Sequence, residues 1–147
     1  MTGIRSILVI ALFLPAIVAA EERCPWLNVA TAGGVLGGEV HATVTPTSCE
    51  FVRRVDGFES ELRIEVVAAN GPHEQCGAGA EPITAIGNEA QACAWRGRAG
   101  WTAEQVTGRV RDRSFLVRIG TNNRTASAQD LRGKARNVAE QVAGILF

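Results

Sequence analysis

The chain has 147 residues, with 15 Lys and Arg against 15 Asp and Glu, and 46% of it is apolar. That length fits one domain. The composition excludes a disordered chain, and the balanced charge is unlike the basic footprint of a nucleic-acid binder. Aromatics make up 5% and Tyr is absent, so a platform for stacking sugars or bases is poorly supplied.

The first twenty residues read as a secretory signal. Arg5 gives a short positive start, and Ile7 to Val18 is an apolar run interrupted by Pro15. Val18 and Ala20 place small residues before a cut at Glu21. The run falls short of the roughly 20 residues that span a bilayer, so no membrane association is expected after cleavage. Cys24 follows Ala20-Glu21-Glu22-Arg23, which lacks the small apolar residues that precede a lipidated cysteine. Residues 21–147 are left as one domain, periplasmic or secreted.

Four cysteines, Cys24, Cys49, Cys76 and Cys93, lie in that domain. An even number in an exported chain points to two disulfides. Three pairings are open. Joining sequence neighbours, Cys24 with Cys49 and Cys76 with Cys93, is the favoured one because it needs no long excursion. A metal site is not expected: there is no Cys-x-x-Cys, and His73-x-x-Cys76 with His41 is a sparse ligand set. No cofactor motif appears either. The glycines from Gly33 to Gly38 lack the strand, helix and Lys-Ser/Thr of a phosphate loop.

In chain order, the spacing predicts a short helix between Cys24 and Gly38. Asn28 caps it, Val29, Ala32 and Leu36 share its buried face, and Gly37-Gly38 ends it. Gly33-Gly34 weakens its middle, which implies close packing there or a shorter helix. Three strands follow: Val40 to Val44, Cys49 to Arg54, and Leu62 to Val66, with Asp56-Gly57 as the turn between the last two. On this pattern His41 points outward. Residues 70–88 read as an irregular loop tied down by a Cys76–Cys93 bridge. Glu89 to Arg96 is a strand placing Ala90, Ala92 and Ala94 on one face, and Trp95 and Trp101 flank a Gly/Arg turn. Val106 to Val110 and Phe115 to Ile119 form a hairpin about Asp112-Arg113. A final helix, capped by Ser127 with Asp130, has Leu131, Ala135, Val138, Val142, Ile145 and Leu146 on one face. The predicted fold is therefore α+β: a short N-terminal helix, a mainly antiparallel sheet of five or six strands, and a C-terminal helix packed on one face.

Charge is uneven along the domain. Residues 21–75 carry −5 and residues 76–147 carry +4. Arg63, Arg109, Arg111 and Arg118 are expected on the outer sheet face with Glu65. The bland reading is a solvated face with weak cross-strand pairs; the functional one is a docking surface for an anionic partner. Together with the loop from Pro72 to Gly87 and Trp101, these arginines are the candidate contact residues. Asn123-Arg124-Thr125 matches a glycosylation sequon, but fourteen Arg against one Lys fits a GC-rich bacterial genome, where the sequon carries little weight.

The opening Cys24-Pro25-Trp26-Leu27 through Leu36-Gly37-Gly38, followed by Cys49, resembles small secreted bacterial domains of unknown function, some of them actinobacterial lipoproteins. Ile86-Gly87-Asn88-Glu89-Ala90 is similar to the Gly-Leu-Gly-Asp-Glu-Ala turn of those proteins, with Asn88 in place of Asp. The resemblance implies a PsbP/Mog1-like α+β sandwich without an assigned activity, so it transfers no catalytic residue.

No Gly-x-Ser-x-Gly, His-Glu-x-x-His or EF-hand loop is present. The expectation is an exported, non-catalytic binding or accessory protein whose partner is a protein or a small anionic ligand. The alternatives are a small periplasmic enzyme using His41 or His73 with a carboxylate, and an inhibitor-type protein that plugs a partner's site.

Overall fold

Period-two alternation of apolar and polar residues builds one antiparallel sheet. A computed structural model describes residues 22–147; the leader expected over 1–20 lies outside the described residues. The elements are α1 (Val29–Leu36), β1 (His41–Val44), β2 (Ser48–Val55), β3 (Phe58–Ala68), β4 (Glu81–Pro82), β5 (Glu89–Trp95), β6 (Thr102–Val110), β7 (Arg113–Thr121) and α2 (Ala128–Leu146). The strands form a single seven-stranded sheet ordered β1-β2-β3-β7-β6-β5-β4. Five or six strands were expected. The seventh is β4, two residues that pair with Ala92 and Gln91 inside the stretch read as loop. Neither its length nor Pro82 gives a strand signal, since Pro is confined to sheet edges.

One face of the sheet carries the helices. Phe51 from β2, Leu62 and Ile64 from β3, Val106 from β6, and Phe115, Val117 and Ile119 from β7 are fully buried there. Burying such a side chain contributes about 1.5–3 kcal/mol. α2 lies across β6 and β7, and α1 sits over β2 and β3. Leu131, Ala135, Val138 and Val142 face the sheet as the spacing requires, joined by Ala139 and Ala143. Ile145, expected on that face, is 56% exposed, whereas the adjoining Leu146 packs against the core. Ser127 caps α2 by accepting from the Asp130 N–H.

α1 is shorter than the Cys24–Gly38 expectation. Asn28 accepts from Thr31 N–H at its start, and Gly37, at φ 84°, closes it in the left-handed conformation. Ala32 and Leu36 are buried, whereas Val29 is 52% exposed. A Cβ on Gly33 would meet the Gly38 carbonyl oxygen at 2.7 Å, so the close approach that Gly33 implied is real.

The β6–β7 turn is Arg111-Asp112, one residue earlier than expected, because Val110 pairs with Arg113. Steric fit sets this register. Gly108 lies opposite Phe115, and a Cβ there would meet the Phe115 ring at 2.5 Å. The turn needs φ 52° at Arg111, an uncommon conformation for a side-chain-bearing residue. Its N–H donates to Asn88 Oδ1 at 2.8 Å, which holds it.

Two disulfides join Cys24 to Cys49 and Cys76 to Cys93, as favoured from the sequence. They fit an oxidising, extracellular environment. Among the described residues no helix is long and apolar enough to cross a membrane.

Candidate functional site

The face of the sheet away from the helices should be solvated if alternation alone governed it. Across β5–β7 it is not: Gln105, Thr107, Ser114 and Leu116 point to that side yet are buried. The segment between β3 and β4 folds back over them. A disulfide and two side-chain hydrogen bonds hold its middle down. Cys76 is bonded to Cys93 on β5. Glu74 Oε2 accepts from the Arg118 guanidinium at 2.6 Å, and Glu74 Oε1 accepts from Trp95 Nε1 at 2.8 Å.

Arg118 is the centre of this clasp. Its side chain is only 11% exposed. Its guanidinium stacks 4.0 Å from the Trp95 ring centroid and donates twice to Gln105 Oε1, at 3.0 and 2.7 Å. A planar, charged donor fork suits this combination of stacking and hydrogen bonding. Both Glu74 oxygens, the Trp95 Nε1, the Gln105 Oε1 and two Arg118 nitrogens are thus partnered, as burial favours.

Between the clasp and the β6–β7 turn a cleft of about 450 Å³ remains. His73 and Gln75 come from the loop, Gln91 from β5, Thr107 and Arg109 from β6, and Ser114 from β7. Ser114 Oγ donates to the Ala69 carbonyl at 3.3 Å, tying the loop's first residues to the floor. Arg109 pairs with Glu89 at 3.0 Å, but the side chains are 47% and 72% exposed. Such an exposed pair contributes under about 1 kcal/mol, so Glu89 holds Arg109 only weakly. The volume lies within the range of small-molecule sites, roughly 300–1,000 Å³.

The five expected contact residues are not one surface. Arg109 lines the cleft and Arg118 holds the loop. Arg63 of β3 lies directly opposite Arg118 of β7 and is engaged by Glu65 at 3.1 Å and Glu50 at 3.8 Å. Arg111 leaves the face altogether, because it sits in the turn and its guanidinium lies 5.9 Å from the Phe147 ring at the end of α2. Trp101 is at the other end of β6 from Arg109, covered by Arg98 at 3.9 Å. Arg98 in turn reaches Glu59 at 3.6 Å and Glu61 at 3.7 Å. Burial pushes the Glu61 carboxyl above its ordinary value and Glu50 adds to this, while Arg98, Arg63 and Arg118 oppose it. The uniform arginine face is therefore a set of locally neutralised pairs.

His41 is exposed on β1, and His73 Nδ1 lies 3.3 Å from the Gly71 carbonyl oxygen. Neither imidazole is ion-paired to a carboxylate among the described residues, which also hold no cluster of metal ligands and no free cysteine. Glu74 falls within the expected 72–87 loop, though its bonds to Arg118 and Trp95 carry no sequence signal; Trp95 and the cleft residues Gln91, Thr107 and Ser114 are absent from the contact residues expected from the sequence. Leu116 and the uncharged Gln105-Val106-Thr107 run on strands expected to show a solvated face were the available signal.

The chain was compared with known proteins: no family model matches it, and neither does any curated protein or solved structure.

Proposed function

We propose that this chain is an exported binding protein, periplasmic or secreted, whose ligand is a small anion held in the cleft beneath the Cys76–Cys93 loop. One observation carries the reading. The loop is fixed to the sheet by a disulfide and by both oxygens of Glu74, yet leaves an open, polar cleft beside those anchors. A loop that served only to cover the sheet would close over Thr107 and Arg109. Preorganising the walls lowers the entropy cost of binding, and Arg109 offers a two-pronged donor to a carboxylate or phosphate. His73 on the facing loop adds an imidazole to the cleft wall. The resemblance to small secreted bacterial domains implies the same class, exported modules without an assigned activity.

Isothermal titration with acetate, succinate, citrate and inorganic phosphate tests this reading. Saturable binding of at least one probe is expected, weakening with added salt and falling at least tenfold in Arg109→Gln. Binding that ignores Arg109→Gln, or no binding by any of the four, would contradict it.

A further inference from the structure

We propose that β1 is a dimerisation strand: it pairs antiparallel with β1 of a second copy, extending the sheet across a two-fold axis.

The two edges of the sheet differ. At one end β4 is two residues long and contains Pro82, the usual way of blunting an edge against pairing. At the other end β1 has four residues, His41-Ala42-Thr43-Val44, with no proline, lysine or carboxylate. Its open side also presents paired backbone groups in a definite pattern. The Thr45 N–H donates to the Ser48 carbonyl at 2.8 Å, and the β1–β2 register runs from Val44↔Cys49 to His41↔Val52. Hydrogen-bonded and non-hydrogen-bonded pairs alternate along an antiparallel ladder. Thr45, Thr43 and His41 therefore turn their N–H and C=O groups toward β2. Ala42 and Val44 turn theirs to the side on which no strand pairs among the described residues.

That pattern is complementary to itself. With Thr43 on the two-fold axis, Ala42 of one copy faces Val44 of the other, and the pair repeats on the far side. All four residues presenting edge donors and acceptors are then matched, giving four new backbone hydrogen bonds. Side chains also fall correctly. Ala42 and Val44 are half-buried on the helix-bearing side, and Thr43 is exposed on the other. The pairing thus sets apolar against apolar and Thr43 against Thr43, with no like charges directly opposed. Beside β1 on the helix-bearing side lies a groove of about 710 Å³ whose apolar walls include Leu27, Val29, Val40, Ala42 and Val44. A two-fold axis normal to the sheet brings the grooves of both copies together, covering the exposed Val29. A four-residue edge gives less than the roughly 1,200 Å² of a standard interface, so the dimer is weak.

Sedimentation velocity on the full exported chain, from about 10 μM to about 1 mM, reads the equilibrium. A concentration-dependent dimer is expected. Thr43→Lys sets two charges face to face, and Ala42→Pro removes an edge-facing donor that the single copy does not use; each should weaken dimerisation at least tenfold. Thr43→Cys should form a covalent dimer on air oxidation, because residues on the axis form a non-hydrogen-bonded pair with Cα atoms about 4.5 Å apart. Circular dichroism checks that each variant is folded, and Thr43→Lys stands alone if Ala42→Pro does not fold. A monomer at every concentration overturns the proposal, and so does a dimer that survives Thr43→Lys. A dimer without the Thr43→Cys crosslink overturns the register.

Discussion

Replacing Arg132 with Met should destabilise the protein more than replacing the glutamate it binds. Glu104 sits on the helix-bearing face of β6, and its side chain is 3% exposed. Its partner is Arg132 of α2, whose Nε donates to Glu104 Oε2 at 2.8 Å and whose other end reaches Glu81 of β4 at 3.1 Å. The bond raises the affinity of Arg132 for its proton. Removing one member of a buried ion pair costs about 3–5 kcal/mol, chiefly because a buried charge is left alone. Arg132 is 42% exposed, so water can follow into the space it vacates. About 2–3 kcal/mol is therefore expected for Arg132→Met, which lowers Tm by roughly 6–15 °C in a domain of this size. Glu104→Gln leaves the guanidinium in reach of water and Glu81 and should cost only about 1 kcal/mol. The double variant Glu104→Leu with Arg132→Met should return to within about 1 kcal/mol of the parent. Urea unfolding of the four proteins measures all three differences. If Glu104→Gln costs more than Arg132→Met, desolvation of the lone carboxylate is not what matters and the reasoning fails.

Three further outcomes are expected. Gly108→Ala should cost about 2–3 kcal/mol by overpacking, since its Cβ would meet the Phe115 ring at 2.5 Å and the Glu89 carbonyl oxygen at 2.8 Å; urea unfolding reads it. Replacing Cys76 and Cys93 together by Ser should cost about 3 kcal/mol and speed amide exchange across residues 70–80, while the Cys24–Cys49 peptide stays linked in a non-reducing digest. Glu61→Gln should raise Tm at neutral pH. A carboxyl whose folded value is raised penalises folding above that value, and the penalty vanishes below the unfolded value. The gain should therefore shrink as pH falls below the ordinary 4.5; a Tm difference that is flat from pH 3 to 7 would remove the cause given.

Much of the architecture is legible because it rests on periodicity and local chemistry. Leu131, Ala135, Val138 and Val142 mark α2, and Leu62, Ile64 and Val66 mark β3, since a side-chain period admits one face to the core. Asp56-Gly57 marks its turn because both residues adopt positive φ there. What escapes the sequence depends on contacts between distant segments. β4 is a strand only because residues 70–80 are drawn back across β5–β7. Alternation assigns Arg118 to a solvated face, but Glu74, 44 residues away, turns it into a buried clasp. Arg111 keeps the parity of Arg109 in the sequence and loses it in space, because Gly108 and Phe115 fix the turn one residue earlier than the pattern suggests. The proposed cleft draws on Arg109 and the 72–87 loop, both named from the sequence, but its shape is not written in the local pattern.

The most direct test of binding beneath the loop is an amide NMR titration with citrate and inorganic phosphate. Saturable shifts confined to the neighbourhood of His73, Gln91, Thr107 and Arg109, absent from Arg109→Gln, are the expected result. Shifts scattered over the surface arginines, or none near the cleft at saturating probe, would contradict it.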